Sequence, residues 1–176
     1  AHLARRTMER LTTPSKPSQV RGFLTIHSAP SALRHHIDWA IQTVLGNWIK
    51  LAWSPQPLMP GTFRTQLEFR GAQGAAAEIA SALRSWHYLN FEVIEGTELG
   101  GELFRFTPEL GIHRAVVDQS GAVLVNENQL SAILSHSFDE EAIREGIAAM
   151  VGNSWECELD RFRSVDLQEV PRLRAI

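Results

Sequence analysis

Polar and apolar residues alternate most regularly over residues 62–70, TFRTQLEFR. Every second residue is phenylalanine, leucine or threonine, and the residues between them are arginine, glutamine or glutamate. A period of two directs successive side chains to opposite faces, which predicts a β-strand with one buried face. Shorter alternations over residues 23–27, 48–53 and 88–95 predict three further strands.

Two segments between these strands have the period of a helix. Apolar residues recur every three or four positions in residues 31–45 and again in residues 75–86, which predicts two amphipathic helices. Ser31 is a predicted N-cap of the first helix. Gly46 is predicted to end it, because glycine readily adopts the conformations found after a helix.

The order of these elements is β-α-β-β-α-β over residues 22–95. This order predicts an α+β fold of the ferredoxin-like kind, in which both helices cover one face of a four-stranded antiparallel sheet. The first and third strands would be central. Right-handed crossovers would leave the other face of the sheet open.

The remaining chain is predicted to add to this unit rather than to form a second domain. Residues 102–164 are expected to form a C-terminal extension of a β-hairpin and two helices, with Asn126 as the cap of the first. Residues 1–20 are expected to be a basic, flexible arm, and residues 165–176 an irregular tail. The single α+β domain would span residues 21–164.

Charge is unevenly distributed along the chain. The formal net charge is −3, yet residues 1–21 carry +4 and the other residues carry −7. This balance gives no general attraction to nucleic acid, and no apolar run approaches the roughly 20 residues that cross a bilayer. Cys157 is the only cysteine, so no internal disulfide can form. We therefore expect a cytoplasmic protein with neither a nucleic-acid nor a membrane partner.

The outer side of the first predicted helix carries two histidines and a tryptophan. His35 and His36 are adjacent, so they point about 100° apart and lack the i, i+4 spacing of paired zinc ligands; no metal is expected. Trp39 leaves apolar area exposed unless the extension or another chain covers it. Candidate partner-binding residues lie here, in the basic arm and in the proline-rich loop 54–61: Arg5, Arg6, Arg10, His35, Trp39, Leu58 and Met59.

His27 ends the first predicted strand, on the face that the helices leave open. A histidine beside basic and acidic groups there could serve acid–base chemistry or bind an anion. A solvated sheet face, or one covered by the C-terminal hairpin, are the alternatives. No nucleophile motif or phosphate loop occurs, so no catalytic residue or cofactor is predicted. The candidate open-face ligand site comprises His27, Lys50, Arg64 and Glu92.

Five short stretches are distinctive within residues 20–160: HSAP (27–30), the DW pair of the first helix, WSPQPLMPG (53–61), ALRSW (82–86) and TPELG (107–111). In these stretches the chain resembles an actinobacterial family of domains of unknown function. The resemblance transfers no catalytic or binding residue. It implies only a gene neighbourhood, because members of that family are often encoded near genes of fatty-acid synthesis or pyruvate dehydrogenase.

We therefore expect a non-catalytic accessory or regulatory protein that binds a larger enzyme of acyl-CoA or fatty-acid metabolism. The resemblance implies, as partners, an acyl-CoA carboxylase, a fatty-acid synthase or a pyruvate dehydrogenase component. One alternative is a small-metabolite-sensing domain. Another is an enzyme that uses His27 with Glu92 or Arg64 on the open sheet face.

Overall fold

One antiparallel sheet organises the computed structural model, which describes residues 19–174. Its strands in chain order are β1 (Gln19–Pro30), β2 (Ser54–Pro55), β3 (Thr62–Ala72), β4 (Asn90–Thr97), β5 (Gly100–Thr107), β6 (Gly111–Val117) and β7 (Val123–Leu124). Across the sheet they lie in the order β2-β3-β1-β4-β5-β6-β7. The fold is therefore α+β, as predicted, but the sheet of this described region has seven strands rather than four.

Five helices complete the described region. They are α1 (Arg34–Leu45), α2 (Ala75–Leu83), α3 (Glu127–His136), α4 (Glu140–Val151) and α5 (Asn153–Arg174). The predicted N-cap at Ser31 is wrong, because residues 31–33 form a 3₁₀ turn and α1 begins after it. Gly46 ends α1 as predicted, with φ of 122°. Among residues 19–174, no helix is both long enough and apolar enough to cross a membrane.

The main core lies between one face of the sheet and the helices α1 and α2. Strand residues such as Leu24 and Phe91 are fully buried there against α1 and α2. Ile37 and Ile41, one turn apart on α1, and Ile79 of α2 supply the helical side of this core. The apolar stripes that predicted the two helices are therefore the surfaces that hold them on the sheet.

The predicted strand at residues 48–53 is wrong. Only Ser54–Pro55 pairs with β3 in this region. The alternation arises because Ile49 is buried beneath the helices, while Gln42 donates a hydrogen bond from Nε2 to the Ile49 carbonyl oxygen at 3.0 Å. A segment held by side-chain hydrogen bonds thus buries alternate residues without joining the sheet.

The C-terminal extension differs from its prediction in two ways. First, the predicted hairpin is present as β6 and β7, but it is part of the main sheet, because β5 pairs with both β6 and β4. Second, the extension contains three helices, because Gly152 adopts φ of 71° and separates α4 from α5. The predicted irregular tail is helical as far as Arg174. Asn126 caps α3 as predicted, accepting from the Asn128 amide at 2.8 Å.

Candidate functional site

Helix α5 lies across the sheet face opposite α1 and α2, over the end of β1 that carries His27. Leu159 and Phe162 of α5 are fully buried, and the Phe162 ring stacks on His27 with centroids 5.5 Å apart. His27 is only 2% exposed. The expectation of an open sheet face is therefore wrong at this position, and its cover is a helix rather than the hairpin.

A β-bulge directs His27 toward its partner. The register of β1 against β4 shifts between Ile26 and Ser28, and bulges characteristically redirect a side chain. His27 Nε2 lies 2.7 Å from Oε2 of Glu92 on β4. Two of the four residues predicted for the ligand site are thus in direct contact.

Two arginines and a second glutamate complete an ion cluster around Glu92. Arg105 of β5 contacts Glu92 through Nε at 3.2 Å and Glu156 of α5 through Nη2 at 2.9 Å. Arg163 of α5 donates from Nε to Glu92 at 3.1 Å and forms a further ion pair with Glu156. We define the ion cluster as His27, Glu92, Arg105, Glu156 and Arg163. It joins four elements, because the strands β1, β4 and β5 meet α5 there.

The pKa values of Glu92 and Arg163 favour their charged forms. Burial by itself would raise the pKa of Glu92, but hydrogen bonds from His27 and Arg163 outweigh it and lower the pKa to about 2. Burial would lower the pKa of Arg163, and its hydrogen bonds with Glu92 and Glu156 raise it instead. The cluster therefore retains its ion pairs at neutral pH.

This arrangement suits attachment of α5 better than acid–base chemistry. The His27 imidazole is buried and stacked, so a substrate has no access to it while α5 is in place. The Glu92 carboxylate already accepts hydrogen bonds from three side chains. Among the described residues, no group of histidine, cysteine, aspartate or glutamate side chains could hold a metal ion.

The other two residues of the predicted ligand site lie elsewhere. Lys50 is exposed in the non-strand segment before β2, so the structure does not bring it to the sheet face. Arg64 lies on β3, two strands away from Glu92 in the order of the sheet. Three residues of the ion cluster were not predicted: Arg105, Glu156 and Arg163. A signal was available for the last two, because their i, i+7 spacing places them on one helix face.

The predicted partner-binding residues within the described region lie at the surface. Trp39 is 70% exposed and Leu58 is 46% exposed, while His35 is exposed and Met59 half-buried. The nearby His36 ring lies 6.4 Å from the Trp86 ring. The other three predicted residues lie outside the described residues: Arg5, Arg6 and Arg10.

A groove of about 760 Å³ opens on the α5 face of the sheet, apart from the ion cluster. Phe23 of β1 and Ile94 of β4 are among its lining residues, and Arg21, Glu68 and Asp118 add charged groups. Arg21 and Glu68 form an exposed ion pair at 3.6 Å. The groove offers space for a small molecule, and metabolite sensing stays a prediction.

The N-terminus of α2 is occupied by a carboxylate of the same chain. The amides of Gly74 and Ala76 both donate to the buried side chain of Glu95, the latter at 2.8 Å. Helix N-termini bind anions through such amides. Because Glu95 already fills this role, the glycine-flanked turn before α2 acts as a structural turn.

Comparison with known proteins identifies a family but no activity. A family model described as "Protein of unknown function (DUF3145)" matches residues 23–173. No curated protein and no solved structure matches the chain. The match confirms the resemblance to an uncharacterised family, and it includes most of β1, with His27, and most of α5.

Proposed function

Because this chain belongs to the DUF3145 family of proteins of unknown function, we propose its function from its geometry. It is a non-catalytic accessory protein that binds a larger enzyme through the outer surface of α1 and α2. The single observation that carries this proposal is the 70% exposure of Trp39 on a well-anchored helix. The metabolic class of the enzyme, acyl-CoA or fatty-acid metabolism, rests only on the gene neighbourhood that the sequence resemblance implies.

The exposure of Trp39 does not come from a loosely held helix. Ile37 and Ile41 on the opposite side of α1 are fully buried, and Asp38 accepts a hydrogen bond from the Trp53 indole at 2.9 Å. Helix α1 therefore holds the backbone of Trp39 in a defined position. That backbone has little conformational entropy left to lose on binding, and tryptophan is enriched among interface hot spots.

Further aromatic groups lie on α1 and in the loop that follows α2. His36 precedes Trp39 by one helical turn and reaches the Trp86 ring in the loop after α2. Tyr88, two residues later in that loop, is 73% exposed. We call these four residues, His36, Trp39, Trp86 and Tyr88, the aromatic face. Such amphipathic rings are enriched in protein interfaces and depleted in surfaces that only meet water.

The positions of the helices support contact rather than chemistry. Helix α5 covers the sheet face opposite α1, so the C-terminal extension leaves Trp39 uncovered. The acid–base alternative needs access to His27, which is 2% exposed. The aromatic face requires no buried group to become accessible.

We also infer that β1 to β4, with α1 and α2, form a ferredoxin-like unit. The order β2-β3-β1-β4, with antiparallel neighbours throughout, supports this assignment. So does the position of both helices on one face of these strands. β5 to β7 would then be additions to one edge of that unit.

Replacing the central residue of the aromatic face tests the proposed function. We expect Trp39→Ala to lose a co-purifying enzyme when the tagged protein is purified at native abundance and its partners are identified by mass spectrometry. The free energy of unfolding should change by less than about 1 kcal/mol, because the indole is mostly in water. Acyl-CoA carboxylase, fatty-acid synthase and pyruvate dehydrogenase components are the partners to look for.

Trp48→Ala is the matched control, because it removes a tryptophan that is similarly exposed, at 73%, from the segment between α1 and β2. It should retain the partner. A Trp39→Ala protein that keeps every partner would contradict the proposal. So would one that unfolds, since Trp39 would then be a core residue.

A further inference from the structure

Helices α3 and α4, joined by a three-residue turn, expose apolar side chains that an amphipathic helix normally buries. Within Glu127–His136 and Glu140–Val151, no side chain is fully buried. Leu134 is 60% exposed, and Ile147 is 38% exposed. Most of the stability of a short helix comes from burying its apolar face. We call the two helices and their turn the helical hairpin.

The helical hairpin is nevertheless well formed. Asn126 and Asp139 cap its helices, each accepting an amide hydrogen bond at 2.8 Å. The helices approach closely at Gly146, where an added Cβ would lie 3.0 Å from a side-chain carbon of Ile133. The exposed apolar residues therefore belong to a pre-formed surface.

Leu134 and Ile147 lie on the same flank of this hairpin. Each follows a residue of the contact between the helices, Ile133 or Gly146, by one position. One position turns a side chain by about 100° around its helix. The two helices run in opposite directions, so this step turns clockwise in one helix and anticlockwise in the other when both are viewed along the same direction. Because the contact residues face each other, both following side chains then point to the same flank.

The charge of the helical hairpin identifies the chemistry of a partner. Residues 127–151 contain five acidic residues and one basic residue, Arg144, so their formal net charge is −4. This exceeds the net charge of the whole chain, which is −3. A second copy of the same flank would be repelled by this charge, whereas a basic partner would be attracted.

We propose that the helical hairpin docks a positively charged amphipathic helix of a partner protein. The apolar side of that helix would cover Leu134 and Ile147, and its lysines or arginines would meet the acidic residues of α4. This surface is separate from the aromatic face. The aromatic face lies over α1 and α2, whereas α4 joins α5 on the other side of the sheet. The proposal therefore does not depend on the proposed function.

Binding of a synthetic peptide to the full chain tests this assignment. The probe is a fluorescein-labelled peptide of repeated Leu-Lys-Lys-Leu units, compared by anisotropy with the same peptide carrying glutamate for lysine. We expect at least about tenfold tighter binding of the basic peptide. Leu134→Asp should weaken that binding by about tenfold. Glu145→Lys should also weaken that binding. Because Glu145 is exposed and contributes no apolar contact, this variant is expected to fold normally.

Matched controls separate this surface from general charge attraction. Leu99→Asp changes an apolar residue that is 98% exposed in the β4–β5 turn, and Glu109→Lys changes an exposed glutamate in the β5–β6 turn. Both should retain the affinity of the unchanged protein, as should Trp39→Ala. Equal binding of the two peptides, or equal loss in the control variants, would overturn the proposal. So would a dimer of the protein in sedimentation that Leu134→Asp dissociates, because a second copy would then be the occupant.

Discussion

Glu92 is the residue at which the sheet and the C-terminal helix meet. Three side chains from three elements, His27, Arg105 and Arg163, hydrogen-bond to its carboxylate. The carboxylate is 15% exposed, so water compensates little for a lost partner. An ion pair of this kind contributes less than its contacts suggest, but the loss of one member leaves the others desolvated and uncompensated.

Glu92→Gln tests the role of this carboxylate. We expect it to lower the free energy of unfolding at neutral pH by about 3 kcal/mol, because two half-buried guanidinium groups lose their shared anion. Urea denaturation followed by circular dichroism gives this value. Glu102→Gln, which removes the anion of the exposed Arg114 pair, is the matched control and should cost less than about 0.5 kcal/mol.

The effect of Glu92→Gln should depend on pH in one direction. The folded-state pKa of Glu92 is about 2, below its ordinary value of 4.5. Its stabilising contribution is therefore fully present above pH 4.5 and is lost as the pH falls toward 2. The difference between the two proteins should shrink across this range. A difference that stays constant would show that shape rather than charge at Glu92 holds α5.

At the level of elements, the break between α4 and α5 determines which surface each helix meets. Gly152 has φ of 71°, and the next residues turn the chain so that α5 can cross the sheet. An added Cβ at this position would lie 2.5 Å from the His113 ring. His113 in turn stacks on Trp155 at the start of α5. Glycine is thus required here both for its backbone conformation and for the space beside the imidazole.

Gly152→Ala should destabilise the protein by more than a change of backbone conformation alone. Gly61→Ala is the matched control, because Gly61 has φ of 85° and nothing within 4 Å of an added Cβ. The control should cost about 1 kcal/mol, and Gly152→Ala should cost at least about 1 kcal/mol more, because His113 must move. Thermal unfolding of both variants measures the comparison. Equal losses would mean that the imidazole moves without cost.

At the level of the whole molecule, the helices differ greatly in how much of their surface is buried against the sheet. The layer of α1 and α2 shares a continuous core with β1, β3 and β4. Helix α5 is attached through Leu159, Phe162 and the ion cluster. The helical hairpin, in contrast, has no fully buried side chain within its helices. Local opening should therefore be easiest in the hairpin.

Hydrogen exchange of the intact protein tests this difference. We expect the backbone amides of α3 to exchange at least about 100-fold faster than those of α1, because opening α3 exposes little additional apolar surface. Mass spectrometry of proteolytic fragments after deuterium labelling gives both rates in one experiment. Amides of β1 serve as the reference for global unfolding. Similar protection of α3 and α1 would show that the hairpin is held by more than its own packing.

Short-range periodicity determined most of the individual elements. The alternation in residues 62–70 and the stripe in residues 31–45 correctly indicated β3 and α1, because each pattern reflects burial of one face. Gly46 and Asn126 were also correctly predicted as helix boundaries, since caps depend on the local backbone. The wrong prediction of a strand at residues 48–53 has the same origin. Burial of alternate residues produces a strand-like pattern even where side-chain hydrogen bonds, rather than backbone hydrogen bonds to a neighbouring strand, hold the segment.

Tertiary structure alone decided what covers the ion cluster. The predicted order of elements made the strands of His27 and Glu92 neighbours, and alternation placed both side chains on the same face of the sheet. It did not indicate that Arg105, Glu156 and Arg163 would meet them. The contact between Glu92 and Arg163 spans 71 residues and depends on the path of the chain after Gly152. Side-chain pattern therefore determined which faces are apolar, and only the long-range path determined which of those faces are covered and which stay exposed.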